Sequence, residues 1–182
     1  MTADTIFPID MALGYVAWVL CVAKYVWPRL RGIDRVEALR AIATLHSFRF
    51  FGLVFLLPGF VGSELPGAFA APAAYGDFAT ALLAIGVLLT ARVRVLFWPL
   101  VWAFNAVGAA DLIMNMVRAV RVDLPSIAGQ LGAGYAIVVL YVPVLLITHG
   151  VAFYLLLRPA APSARGEVHR SSQDHRSAPT WP

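Results

Sequence analysis

One imidazole and one guanidinium interrupt an otherwise apolar stretch, "ATLHSFRFFGLVFLLPGF", residues 43–60. His46 and Arg49 are three residues apart, so on a helix they share a face. A full charge deep in hydrocarbon costs on the order of 2.5–3.5 kcal/mol even on insertion scales, so Arg49 requires an acidic or carbonyl partner from another segment. Other apolar stretches carry Asp77, Asn105, Asp111, Tyr141 and His149. Asp111, Asn115 and Arg118 follow an i, i+4, i+7 pattern, and Gly108, three residues earlier, lets another helix approach that face. Further on, Gly134, Tyr141 and Thr148 are spaced by sevens, with Tyr135 and His149 beside them at an interval of fourteen. That pattern draws a polar seam along one side of a helix.

These residue types support three kinds of chemistry. In the leading reading, His46, Arg49, Asp77, Asn105, Asp111, Tyr141 and His149 form a site that handles protons or a small solute in a transporter-like protein. Pro99 and Pro143 can each kink a helix and open room for a ligand. In the second reading, His46 and His149 ligate haem b or a metal, and Arg49 answers a propionate or a quinone oxygen in a membrane redox protein. In the third, the same groups hold helices in register within a structural or accessory subunit of a membrane complex, with a membrane protein as partner. Interhelical hydrogen bonds in lipid average only about 0.6 kcal/mol, a small return for a buried charge, and this favours a functional role. Other chemistry finds no support. No glycine-rich loop follows a strand, no pair of histidines stands four apart, and no Ser, His and Asp fall at one depth.

The elements that position these residues are apolar and long. The chain has 182 residues, 60% of them hydrophobic and only 13% charged, with mean hydropathy +0.78, so lipid is its expected solvent. Five apolar runs, about 9–27, 41–60, 68–90, 95–117 and 131–157, each suit one membrane-spanning helix. Short polar joints separate them, as expected where every helix must satisfy its own backbone in lipid. The alternation of barrel strands is absent. The fold class is therefore all-α, a polytopic helical bundle of about five spans over residues 1–158. The formal net charge of +4 comes from basic residues beside the apolar runs, where they set topology, so no nucleic-acid partner is expected. The single cysteine, Cys21, permits no intrachain disulfide.

Depth along the helices brings the polar residues together. Taking Arg40 as an inner edge, His46 lies about 9 Å and Arg49 about 13.5 Å into the membrane. Counting back from Arg118 places Asp111 about 10 Å from the outer edge, level with Arg49 to within about 6 Å in a core of about 30 Å. Asp111 is the expected partner of Arg49. Asp77, five residues after Pro72, falls about 7.5 Å deep and is expected near the interface, where it can meet water or Tyr75. His149 lies about 13.5 Å from Arg158, and Asn105 near the middle.

Orientation follows from Lys and Arg in short joints. Lys24, Arg29, Arg31, Arg35 and Arg40, then Arg92 and Arg94, then Arg158 mark the cytoplasmic ends, whereas "PGFVGSELPGAFAAP" has no basic residue and the fourth joint has Arg118 and Arg121 partly offset by Asp123. The expectation is a multi-pass protein of the bacterial inner membrane, N-terminus outside and C-terminus in the cytoplasm. "MTADTIFPID" lacks a basic leader region, so the first apolar run is expected to be retained. Pro72 suits the first turn of the third span. Residues 159–182 mix Pro, Ser and charges without apolar periodicity and are expected to form a disordered cytoplasmic tail.

Overall fold

A computed structural model describes residues 2–158. The expected tail, 159–182, lies outside the described residues. Five helices are long and apolar enough to cross a membrane: α1 Ala3–Gly32, α2 Arg35–Leu56, α3 Gly67–Leu89, α4 Arg94–Arg121 and α5 Gly134–Leu157. Among the described residues no strand forms beyond an isolated bridge between Pro58 and Val61. Leu13, Val16, Leu20, Val95, Val107 and Ile113 are among the large apolar side chains exposed on the helices' outer faces, as expected for surfaces solvated by lipid.

Three helices depart from regular α geometry, each for a local reason. α2 is α-helical over Arg35–Ser47 and tightens to a 3-10 helix over Phe48–Leu56. In a 3-10 helix residues three apart eclipse, and the buried residues of this segment are Arg49, Gly52 and Phe55. The tightening thus holds one inward stripe that an α-helix would let wander. α5 widens to a π turn over Ile137–Tyr141, just before Pro143. Proline has no N–H, so the turn preceding Pro143 lacks one intrahelical donor. Helix α1 answers this weak point. Gly14 lies so close to the Val139 oxygen that a side-chain carbon there would stand 2.3 Å from it, and Trp18 Nε1 donates to the Leu140 carbonyl at 2.7 Å. α1 carries its own π turn at Val22–Val26, ahead of Pro28.

Helix α3 is the spine, packed against α2 on one side and α4 on the other. Its buried face is built from Ala70, Ala73, Ala74, Ala81 and Ala84, small residues that let neighbouring backbones come close. Pro66 caps this helix and Pro72 sits inside it, so the helix begins before the turn that the sequence assigned to Pro72. α5 packs on α1, α2 and α4.

Two apolar clusters fill the bundle. One joins Leu39, Ile42, Val87, Phe97, Phe104 and Leu155 at the end where α2 and α4 begin. The other joins Phe7, Phe55, Phe69, Leu124, Leu131 and Val138 at the opposite end. Between them lies a thin polar layer.

Candidate functional site: a buried guanidinium between two carboxylates

Arg49, near the start of the 3-10 segment, is 1% exposed. Its Nε donates to Asp77 Oδ1 at 2.7 Å, and its Nη2 lies 2.6 Å from the same oxygen and 2.7 Å from Asp111 Oδ2. Nη1 faces the Gly108 carbonyl at 3.3 Å and His149 Nε2 at 3.4 Å. One side chain thereby ties α2 to α3, α4 and α5. Charge-assisted bonds of this kind are short and directional, and arginine's planar fork suits two carboxylates better than a lysine would.

Asp77 is therefore a direct partner of Arg49, beside Asp111. Depth counted from Pro72 misplaced it, because α3 begins at Gly67. Ten residues separate Asp77 from that start, or about 15 Å, which is mid-helix. Asp111 likewise stands ten residues from the end of α4 at Arg121, at the matching depth from the same end of the bundle.

Three glycines make room for the three side chains that meet Arg49. A side-chain carbon on Gly52 would fall 2.3 Å from Asp77 Oδ2, one on Gly76 1.8 Å from Asp111 Oδ1, and one on Gly108 2.5 Å from His149 Nε2. No such carbon fits at those distances. Only Gly108 is marked in the sequence by its place in a polar pattern; Gly52 and Gly76 are missed, because their role depends on the neighbouring helix.

The histidines extend the layer toward α2 and α5. His149 Nδ1 is 3.0 Å from Asn105 Oδ1, and the Asn105 amide nitrogen donates to the Val101 carbonyl at 2.8 Å. Arginine can only donate, so His149 Nε2 accepts and Nδ1 carries the proton. His46 Nε2 is 2.9 Å from Thr148 Oγ1, which also bonds the Val144 carbonyl at 2.7 Å. His46 Nδ1 is buried with no hydrogen-bond partner among the described residues. Phe104 packs edge-on against the His46 ring at 5.0 Å. Tyr141, at the end of the π turn, donates to the Leu45 carbonyl at 2.6 Å, next to His46. Asn115 donates to Asp111 Oδ1 at 3.1 Å and accepts from Arg118 at 2.9 Å, continuing the line toward the far end of α4. Of the expected residues, His46, Arg49, Asp77, Asn105, Asp111 and His149 join this layer, and Tyr141 borders it. Thr148 and Thr80, both buried, belong to it as well.

The pair His46 and His149 does not fit haem. Axial ligation sets two imidazoles on opposite faces of a flat macrocycle, with iron between them. Here the rings rest on one another, centroids 4.1 Å apart and inclined by 50°, with no gap for a cofactor plane. His149 spends both nitrogens on Arg49 and Asn105, and a metal cation at its Nε2 would confront the guanidinium. No group of three or more His, Cys, Asp or Glu capable of holding a metal forms among the described residues.

A cavity of about 340 Å³ reaches the layer from one side. It runs from Asp123, just past α4, along that helix to Asn115 and across to Asp77 of α3, between walls that include Phe7, Phe55, Phe69 and Met116. The Asp77 and Asp111 side chains keep 14% and 9% of their surface exposed, whereas Arg49 keeps none. On the other side the first apolar cluster closes over the histidines.

No curated protein and no solved structure matches this chain. A family model matches residues 6–157, from the start of α1 through the end of α5. The chain belongs to the family described as a domain of unknown function, DUF8737.

Proposed function

We propose that this is a multi-pass, transporter-like protein whose polar layer binds a proton or a small cationic solute at Asp77 and Asp111. The observation that carries this reading is the charge of the layer. Two carboxylates contact one guanidinium, and the next cation, Arg118, reaches Asp111 only through Asn115, so with neutral histidines the three groups in direct contact sum to −1 in an apolar interior. An uncompensated charge at that depth is costly, and a bound cation or proton offsets it. The cavity supports the same reading, since Asp77 and Asn115, and not Arg49, line it, which gives Asp77 a route to the surroundings. Access from one side with closure on the other is what a binding site of alternating access requires in one of its states.

The bilayer in this proposal is a bacterial inner membrane, with the N-terminus outside and the C-terminus inside. Support comes from the gathering of Arg31, Arg35, Arg94 and Arg158 at one end of the bundle, against Arg118 and Arg121, partly offset by Asp123, at the other.

The test is proton flux into vesicles that hold the purified chain and a trapped pH-sensitive dye. An imposed proton gradient should decay faster than in protein-free vesicles, and Asp77→Asn should abolish the difference. Wild-type vesicles indistinguishable from empty ones would contradict proton handling. Restoration of flux only when a small organic amine is supplied would assign the site to a cationic solute.

A further inference from the structure

A second cavity, about 540 Å³, lies at the other end of the bundle. Arg31 from α1, Arg35 from α2, Arg94 from α4 and Arg158 after α5 line it, with Trp98 and a single acid, Asp34. Four positive charges against one negative leave an excess of +3. None of these arginines forms an ion pair among the described residues. The Asp34 carboxylate is already used, since it accepts from the Val36 backbone N–H at 2.9 Å and caps α2. The amino terminus of α4, which begins at Arg94, has no side-chain cap, so its free N–H groups add partial positive charge to the same place. Like charges drawn around one cavity repel, and an anion bound there would relieve that repulsion.

We infer that this cavity binds the phosphate headgroup of an anionic phospholipid. Basic pockets between helices at a membrane surface recognise such headgroups. The surroundings of the cavity select the lipid over a free anion. Ile33 at its edge is 47% exposed, and Val95 and Leu96, beside Arg94, are 82% and 52% exposed. These apolar side chains give acyl chains a surface next to the arginines, which free phosphate does not use. Trp98, one turn after Arg94, has the amphipathic character of residues at the headgroup level. The site shares no residue with the polar layer, so it stands or falls independently of the function proposed above.

Native mass spectrometry and thermal unfolding of the purified full chain, each with phosphatidylglycerol, phosphatidylcholine or inorganic phosphate, test the inference. Phosphatidylglycerol should remain bound and raise the unfolding temperature, while phosphatidylcholine and millimolar phosphate should do neither. Arg94→Gln and Arg31→Gln should each weaken phosphatidylglycerol binding by about fivefold. Arg92→Gln, on a neighbouring arginine outside the cavity, should bind as the wild type does. If one of the cavity variants does not fold, the other gives the reading alone. Equal binding of the two lipids, or cavity variants that bind phosphatidylglycerol as the wild type does, would overturn the inference. So would a phosphate effect equal to that of the lipid, which would make the site one for a free anion.

Discussion

Arg49 is the residue on which the interior depends, because its removal leaves two carboxylates facing each other without a counter-ion. Breaking a buried pair from one side costs about 3–5 kcal/mol, so Arg49→Ala is expected to lower the unfolding temperature sharply or to prevent purification. Adding Asp111→Ala should recover part of that loss, with a coupling of about 1–3 kcal/mol in the double-mutant cycle measured by thermal unfolding. Additive losses would mean that the pair contributes nothing to the folded state. The glycines give a second residue-scale prediction. Gly76→Ala places a methyl group where Asp111 Oδ1 lies and should cost about 1–3 kcal/mol by overpacking, whereas Gly67→Ala, which meets nothing within 4 Å, should be nearly silent. Thermal unfolding of the two variants side by side decides it. The sequence carries the Arg49 and Asp111 match openly, since both depths follow from counting residues. Asp77 is hidden behind the misplaced start of α3, and Gly52 and Gly76 behind contacts that only the packed helices create.

At the scale of elements, helix irregularities do the positioning. The 3-10 segment aligns Arg49, Gly52 and Phe55, and the π turn of α5 brings Tyr141 to the Leu45 carbonyl. Neither feature has a period that hydropathy can reveal, although Pro143 signals trouble in α5 by its missing N–H. The five helices themselves are legible from apolar length alone, because a span needs about twenty such residues whatever its internal geometry. Their ends are not. α4 begins near where its apolar run does but continues to Arg121, since helix geometry persists into the polar turn beyond the apolar residues. Trp18 donates from α1 into the irregular stretch of α5. Trp18→Phe is expected to cost about 1 kcal/mol, the usual net worth of a hydrogen bond, and to speed amide exchange in α1 more than in α3. Uniform exchange across all helices in that variant would show that α1 is not held in this way.

For the molecule as a whole, the orientation proposed above predicts that a reporter fused after Pro66 is active only outside the cell, and one fused after Pro162 only inside. A cytoplasmic signal at Pro66 would reverse the bundle and place the cavity beside Asp123 on the inner side. The two apolar clusters and the layer between them also separate folding from function in a way that one variant can exploit. Arg49→Gln, Asp77→Asn and Asp111→Asn together remove all three charges; the asparagines match the aspartates in size, and the shorter glutamine keeps two N–H donors of the guanidinium's five. Because the variant removes all three charges at once and leaves no carboxylate or guanidinium buried without its partner, it should fold. The most direct measurement is proton flux in dye-loaded vesicles that carry the triple variant, with its unfolding temperature taken alongside. If the layer is where the protein acts, the variant unfolds within a few degrees of the wild type and its flux falls to that of protein-free vesicles. Wild-type flux in the folded triple variant would contradict the account, and would reduce Arg49, Asp77 and Asp111 to a structural role.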